Sequence, residues 1–171
     1  MARTEDRTLQ WALTGALALM LSTMQYPAAA NQAKRVSGYV ETVRIRPGEL
    51  SLNARIDTGA DHSSLNAKTV EGFTRDGQSW LRFSLTDSAD RSAVIEAAVQ
   101  RIARIRRRGG GIQERPVILL GICLGAVLKT VEVNLADRSG FDYQMLVGRS
   151  FLGTDFLVDP SQRFLLQPQC P

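Results

Sequence analysis

An all-β fold, built as a barrel or sandwich of short strands, is the class this sequence predicts. Three observations carry it. Short β-branched or alternating apolar runs recur along the chain. Turn signals such as Pro47-Gly48, Asp76-Gly77 and Ser139-Gly140 separate them. Only Gly148 to Gly153 reads as a convincing helical turn.

The elements follow in order. Val36 to Ile45 is β-branched and ends at Pro47-Gly48. Leu50, Leu52, Ala54 and Ile56 alternate with polar residues, the period of a half-buried strand. Ser63 to Ala67 is a short extended return, and Arg75-Asp76-Gly77-Gln78 a turn. Trp80 to Leu85 sets Leu81, Phe83 and Leu85 against Trp80, Arg82 and Ser84, and Thr86 to Arg91 is a polar loop. Ala93 to Arg106 reads as a strand with Ile95, Ala97 and Val99 on one face, although its alanines also suit a short helix. Gly109-Gly110-Gly111 breaks it. Pro116 to Leu124 and Val127 to Leu135 are strands around Gly125, followed by a turn over residues 136–140. Phe156 to Val158 and Arg163 to Leu166 are the last strands expected.

The first 30 residues read differently from the rest. Arg3 and Arg7 precede an apolar run from Trp11 to Leu21, and Ala28-Ala29-Ala30 offers a small-residue cleavage site. This is the pattern of a secretory signal peptide over residues 1–30, cleaved after Ala30. The run is short of the ~20 residues a membrane span needs, so no stable span is expected after cleavage. An uncleaved N-terminal anchor is the alternative, since Trp11 to Ala30 is apolar enough to stretch across a bilayer. Residues 31–171 then form one domain of ordinary size, expected in the periplasm. Cys123 and Cys170 could pair in an oxidising compartment. Equally, Cys123 could be a small buried apolar residue and Cys170 a free thiol on the tail.

The formal net charge is +4, and it is concentrated. Arg101, Arg104, Arg106, Arg107, Arg108 and Arg115 crowd one segment. Such a cluster can meet an anionic partner or lie solvated at a strand end. The secretion signal and the absence of interleaved aromatics argue against nucleic acid.

The chemistry concentrates where the alternating strand ends, at Asp57-Thr58-Gly59-Ala60-Asp61. A carboxylate at a turn beyond a strand is weak evidence alone, because Asp initiates many ordinary turns. Here a second stretch stands downstream, Leu146-Val147-Gly148-Arg149-Ser150-Phe151-Leu152. Together, in this order, the two resemble the paired motifs of retropepsin-like aspartic proteases. A closer resemblance is to a bacterial group of these proteins often labelled "ATP-dependent zinc protease". Arg55 to Ala60, Ser63-Ser64-Leu65, Glu114 to Val117, Val131 to Leu135, Asp137-Arg138-Ser139, Leu146 to Arg149 and Val158 to Ser161 carry it, across roughly residues 36–166.

The resemblance implies a closed, mainly β barrel with one short helix after the second motif. It implies an endopeptidase in which two carboxylates share one proton, since at ~3 Å both cannot ionise. The charged one activates water, and the protonated one stabilises the tetrahedral oxygen. This chain carries one such loop, so the second Asp57 must come from a second copy across a two-fold axis. Thr58 is placed to hydrogen-bond across that axis. Gly59 is expected to allow close backbone approach and unusual dihedrals. Ala60 and Asp61, with a flap tip at Gly109, Gly110 and Gly111, would meet a peptide or protein substrate. Gly148 and Arg149 would support the loop, Arg149 by pairing with Asp61. The arginines flanking the flap would favour acidic substrates. His62 stands where the group usually has a small polar residue, and either tunes the dyad or sits on the loop surface.

No cofactor and no metal site is expected. The chain has a single His, no His-Glu-x-x-His and no Cys pair at ligand spacing. No Gly-x-x-x-x-Gly-Lys-Ser/Thr loop for ATP is present, and Gly109-Gly110-Gly111 is followed by Ile112-Gln113. Two other readings stay open. One is a non-catalytic peptide-binding module of the envelope, and the other a monomer whose lone Asp57 forms no dyad.

Overall fold

The computed structural model describes residues 33–106 and 109–171. The leader expected over residues 1–30, and Arg107 and Arg108 of the basic cluster, lie outside the described residues. The elements are β1 (Arg35–Gly38), β2 (Val40–Arg46), β3 (Leu50–Ile56), β4 (Ser63–Asn66), β5 (Lys68–Arg75), β6 (Gln78–Thr86), β7 (Ser92–Arg106), β8 (Ile112–Leu124), β9 (Val127–Ala136), β10 (Met145–Val147), α1 (Arg149–Leu152) and β11 (Phe156–Asp159).

The main sheet runs β2-β3-β10-β4-β9-β8-β7-β6-β5, and β2 also pairs with β8. That extra pairing, Arg44 with Cys123 through Arg46 with Gly121, closes the first six strands into a barrel. One edge of β8 serves two partners. It pairs with β7 as far as Ile118 and with β2 from Gly121 to Cys123. Gly121 sits at this exchange, where a Cβ would stand 3.1 Å from the Cβ of Arg46. Beyond it, β7, β6 and β5 extend away from the barrel. Among the described residues, the all-β prediction and the single short helix hold.

Alternation places the core. On β3, Leu50, Leu52, Ala54 and Ile56 are buried while the intervening polar residues face outward. Each large aliphatic side chain buried this way contributes about 1.5–3 kcal/mol. They meet Val147, Leu65 and Phe151, all fully buried, in one cluster beneath the candidate site.

Three details depart from the expected elements, and one open alternative is settled. The run from Val36 to Ile45 is two strands, because Gly38 lets the chain turn against residues 162 and 163. A Cβ at Gly38 would lie 2.5 Å from the Gln162 carbonyl oxygen. A strand at Lys68–Arg75 was not foreseen, since it packs its exposed residues along β6 rather than on the core. Ser92–Arg106 is a strand throughout, which removes the helical alternative. Arg163 to Leu166 is not a strand. Phe164 takes φ 57°, and the Leu165 and Leu166 amides turn to donate to the buried carboxylate of Glu41 at 3.1 and 3.0 Å. The tail then ends in a disulfide between Cys170 and Cys123.

Candidate active site

The loop that carries Asp57 joins β3 to β4, yet these strands do not pair with each other. β10 lies between them, parallel to β3 (Val147 opposite Ile56) and antiparallel to β4 (Leu146 opposite Ser64). The two sequence motifs therefore meet through backbone hydrogen bonds. The Asp57 amide donates to the Val147 carbonyl at 2.9 Å. The Arg149 and Ser150 amides donate to the carbonyls of Ala60 and Asp61, each at 2.9 Å. Amides at a helix start lack intrahelical partners. Here the loop carbonyls supply them, and Gly148 needs no capping side chain.

Side chains complete the clamp. Arg149 donates from Nη1 to the Thr58 carbonyl at 2.8 Å and forms an ion pair with Asp61 through Nη2. Ser63 Oγ accepts from the Gly148 amide at 3.2 Å, and Asn134 Nδ2 donates to the Ser63 carbonyl at 2.9 Å. Gly148 is sterically required. A Cβ there would stand 2.7 Å from the backbone carbon and oxygen of His62. We expect Gly148→Ala to cost about 1–3 kcal/mol through overpacking and to displace the loop. Gly140, with nothing within 4 Å of its Cβ position, is the control and should shift stability by less than about 0.5 kcal/mol on substitution by Ala. Thermal melts of the two variants decide it, and matching curves would refute the steric requirement.

Within the loop, Asp57 is half-buried, and Thr58 and Gly59 are exposed. Asp57 Oδ1 accepts from the Gly59 amide at 2.9 Å. Gly59 is needed for space rather than for unusual dihedrals. It lies outside the positive-φ residues, while its Cβ would stand 3.1 Å from Asp57 Oδ1. Among the described residues, the Thr58 hydroxyl has no hydrogen-bond partner.

A groove of about 600 Å³ runs beside the loop. Ala60, Asp61 and His62 form one wall, and Ser64, Asn134, Arg138 and Leu146 also line it. Residues 101–105 of β7, with Arg115 and Val117 of β8, face it from the flap hairpin. A register shift between Val99 and Arg101 marks the base of that hairpin, as bulges do where a strand is re-aimed. Ile102 and Ile105 are exposed there. Gly109, Gly110 and Gly111 sit at the tip with φ between 86° and 99°, values that favour glycine. They do not line the groove, so the flap strands rather than the tip face it.

Electrostatics tie the flap to the barrel. Arg101 pairs with Glu132 of β9 at 2.5 Å, reaching across β8. The hydrogen-bonded Arg101 guanidinium holds the Glu132 carboxyl below its usual range. His62 Nδ1 lies 3.8 Å from Glu132 and is exposed, and it borders the groove with no hydrogen bond to Asp57. Arg138 is the groove residue that motif reading left without a role. Burial lowers its pKa, Arg115 adds to that, and the charge of Asp57 opposes it. Its burial arises where the segment after β9 folds back onto Ser64 and Asn66, which no local pattern announces. Among the described residues, no cluster of three or more His, Cys, Asp or Glu side chains could hold a metal ion. No described helix is long and apolar enough to cross a membrane.

A closed barrel whose Asp-Thr-Gly loop is clamped by a following Gly-Arg helix defines the retropepsin-like class. This chain belongs to the RimB-like family, the retropepsin-like aspartic endopeptidase RimB family, which matches residues 36–169. It is 35% identical over 125 residues to a "Probable alpha-L-glutamate ligase" of Shewanella halifaxensis, covering 71% of this chain and 27% of that protein. A protein of the same name from Parasynechococcus marenigrum is 35% identical over 113 residues, covering 64% and 24%. The chain thus spans about a quarter of the length of these relatives. A crystal structure of a Legionella pneumophila protein of unknown function superposes with a TM-score of 0.67 at 30% identity, covering 79% of this chain and all of that one.

Proposed function

We propose that this chain is an aspartic endopeptidase whose active unit is a homodimer with an Asp57 dyad. The observation that carries this reading is the clamp. Strand β10 and helix α1 fix the Asp57 loop through backbone bonds at both ends, as preorganised acid–base chemistry needs. The exposed Thr58 and Gly59 leave that loop open for a second copy. In the dimer, one Asp57 is ionised and takes a proton from water. Its partner is protonated, hydrogen-bonds the scissile carbonyl and stabilises the tetrahedral oxygen. The water oxygen thereby bonds to the carbonyl carbon; when the C–N bond breaks, one of the dyad's two protons passes to the leaving amine, and the dyad is left with the single shared proton it began with.

The arginines around the groove support acidic peptides as the substrate class. The name of the relatives supports glutamate-bearing peptides in particular. A ligase activity is not part of this proposal, because this chain matches only about a quarter of those proteins and itself belongs to an endopeptidase family. The Cys123–Cys170 disulfide supports an oxidising compartment such as the periplasm.

The test is digestion of a peptide library by the purified chain, with and without a chelator, read by mass spectrometry across pH. We expect internal cleavage, a bell-shaped pH profile set by the dyad's two macroscopic steps, and no effect of the chelator. Complete loss with the chelator would overturn the mechanism.

A further inference from the structure

We infer that Arg138 determines specificity by binding the carboxylate of an acidic substrate side chain beside the cut bond. The inference rests on the endopeptidase reading and assigns a residue to its selectivity.

Arg138 is 7% exposed. Its Nε donates to the Tyr143 carbonyl at 3.2 Å and its Nη1 to Ser64 Oγ at 3.0 Å. Its backbone amide donates to Asn66 Oδ1 at 2.9 Å, and its guanidinium stands 4.5 Å from the Phe141 ring centroid. Every one of these partners is neutral. The other buried charges are compensated. Asp87 pairs with Arg91 at 2.6 Å, and Glu41 accepts three backbone amides. Two other groove arginines already have carboxylates, Arg101 with Glu132 and Arg104 with Glu114.

A buried cation with only neutral partners is costly to hold. Nε and one Nη1 proton are committed to the protein, and Nη2 makes no hydrogen bond among the described residues. The Nη1–Nη2 edge of a guanidinium matches the two oxygens of a carboxylate. Position selects a site near the scissile bond rather than the groove mouth. Ser64, which Arg138 grips, pairs with Leu146, and the next residue, Val147, holds the Asp57 amide. Asp57 also lies close enough for its charge to act on Arg138. A carboxylate bound here would therefore stand on the Asp57 side of the groove.

The test uses one peptide in two versions, with Glu or Gln at the position flanking the cut. The native chain, Arg138→Gln, Arg138→Lys and Arg163→Gln, whose arginine is exposed and outside the groove, are compared by kcat/KM, with melting curves as a check on folding. We expect the native chain and Arg163→Gln to prefer the Glu peptide by about 10–100-fold. Arg138→Gln should bring that ratio near one while changing the Gln peptide by less than about threefold. Arg138→Lys, which keeps the cation without the planar fork, should fall between. An equal loss on both peptides would show Arg138 to be only an anchor of its loop, and an unchanged ratio would exclude it. Calorimetric titration of both peptides into Asp57→Asn, with and without Arg138→Gln, separates this inference from the endopeptidase reading. If neither peptide is cut, a Glu preference in Asp57→Asn that Arg138→Gln removes still upholds the role of Arg138. Equal binding of the two peptides overturns it.

Discussion

Asp57→Asn is expected to lower peptide hydrolysis by about 10²–10⁴-fold, the usual worth of a positioned acid or base, with the fold intact. Loss at the upper end is expected because one substitution removes both members of the dyad. Asn matches the size of Asp and can keep the 2.9 Å contact from the Gly59 amide, so melting should scarcely change. What it cannot do is carry the shared proton. Mixing tests the dimer. When equal amounts of native and Asp57→Asn chains exchange freely, activity should fall to about half that of the same quantity of native chain alone. A catalytic monomer would show no change on mixing. Full activity in the Asp57→Asn protein would remove the aspartic mechanism altogether.

Loss of the disulfide is the largest stability change expected. Cys123 and Cys170 are both buried and 47 residues apart in sequence. A closed loop of that length is worth about 4 kcal/mol in the chain-entropy model, and typical measured values are about 2–4 kcal/mol. The paired Cys123→Ala, Cys170→Ala variant should therefore melt on the order of 10 °C lower. Alanine avoids leaving a buried hydroxyl without a partner. Denaturant titration of the oxidised, reduced and variant proteins provides the measurement. The reduced native chain should follow the variant, and coincident midpoints for all three would show that the tail holds without its bridge. The remaining tail contacts include Arg44 to the Pro168 carbonyl at 2.8 Å, the Gln169 amide to the Gly125 carbonyl at 2.7 Å, the Phe164 amide to the Val40 carbonyl at 2.8 Å, the two amides on Glu41, and Leu166 against the core. They would then have to suffice.

What could be read from residue order alone divides along a physical line. Strand β3 was legible because its burial alternates with period two over seven residues. The Asp61–Arg149 pair was legible because opposite charges stand at matched places in two motifs. The proximity of Asp57 and Gly148 was legible because the apolar run Met145-Leu146-Val147 has to pass beside the loop to support it, and the Asp57 amide bonded to the Val147 carbonyl bears it out. The burial of Arg138 and the capture of the tail by Glu41 were not legible. Each depends on a segment more than 70 residues away in sequence, Ser64 and Asn66 in one case and Leu165 in the other. The disulfide stayed open for the same reason, since nothing near Cys123 announces Cys170. Strand β5 escaped notice because its pattern reports no core.

The insertion of β10 between β3 and β4 has a consequence for how the chain comes off the ribosome. Asp57 and its loop are synthesised early, but the strand that separates and supports their flanks is Met145–Val147. The amides that hold the carbonyls of Ala60 and Asp61 belong to residues 149 and 150. A nascent chain lacking them has the Asp57 carboxylate without its scaffold, and pairings this distant in sequence form late. On the proposed endopeptidase reading, such a chain would be inert while it is being made and would reach a competent geometry only once residues 145–150 are available to fold.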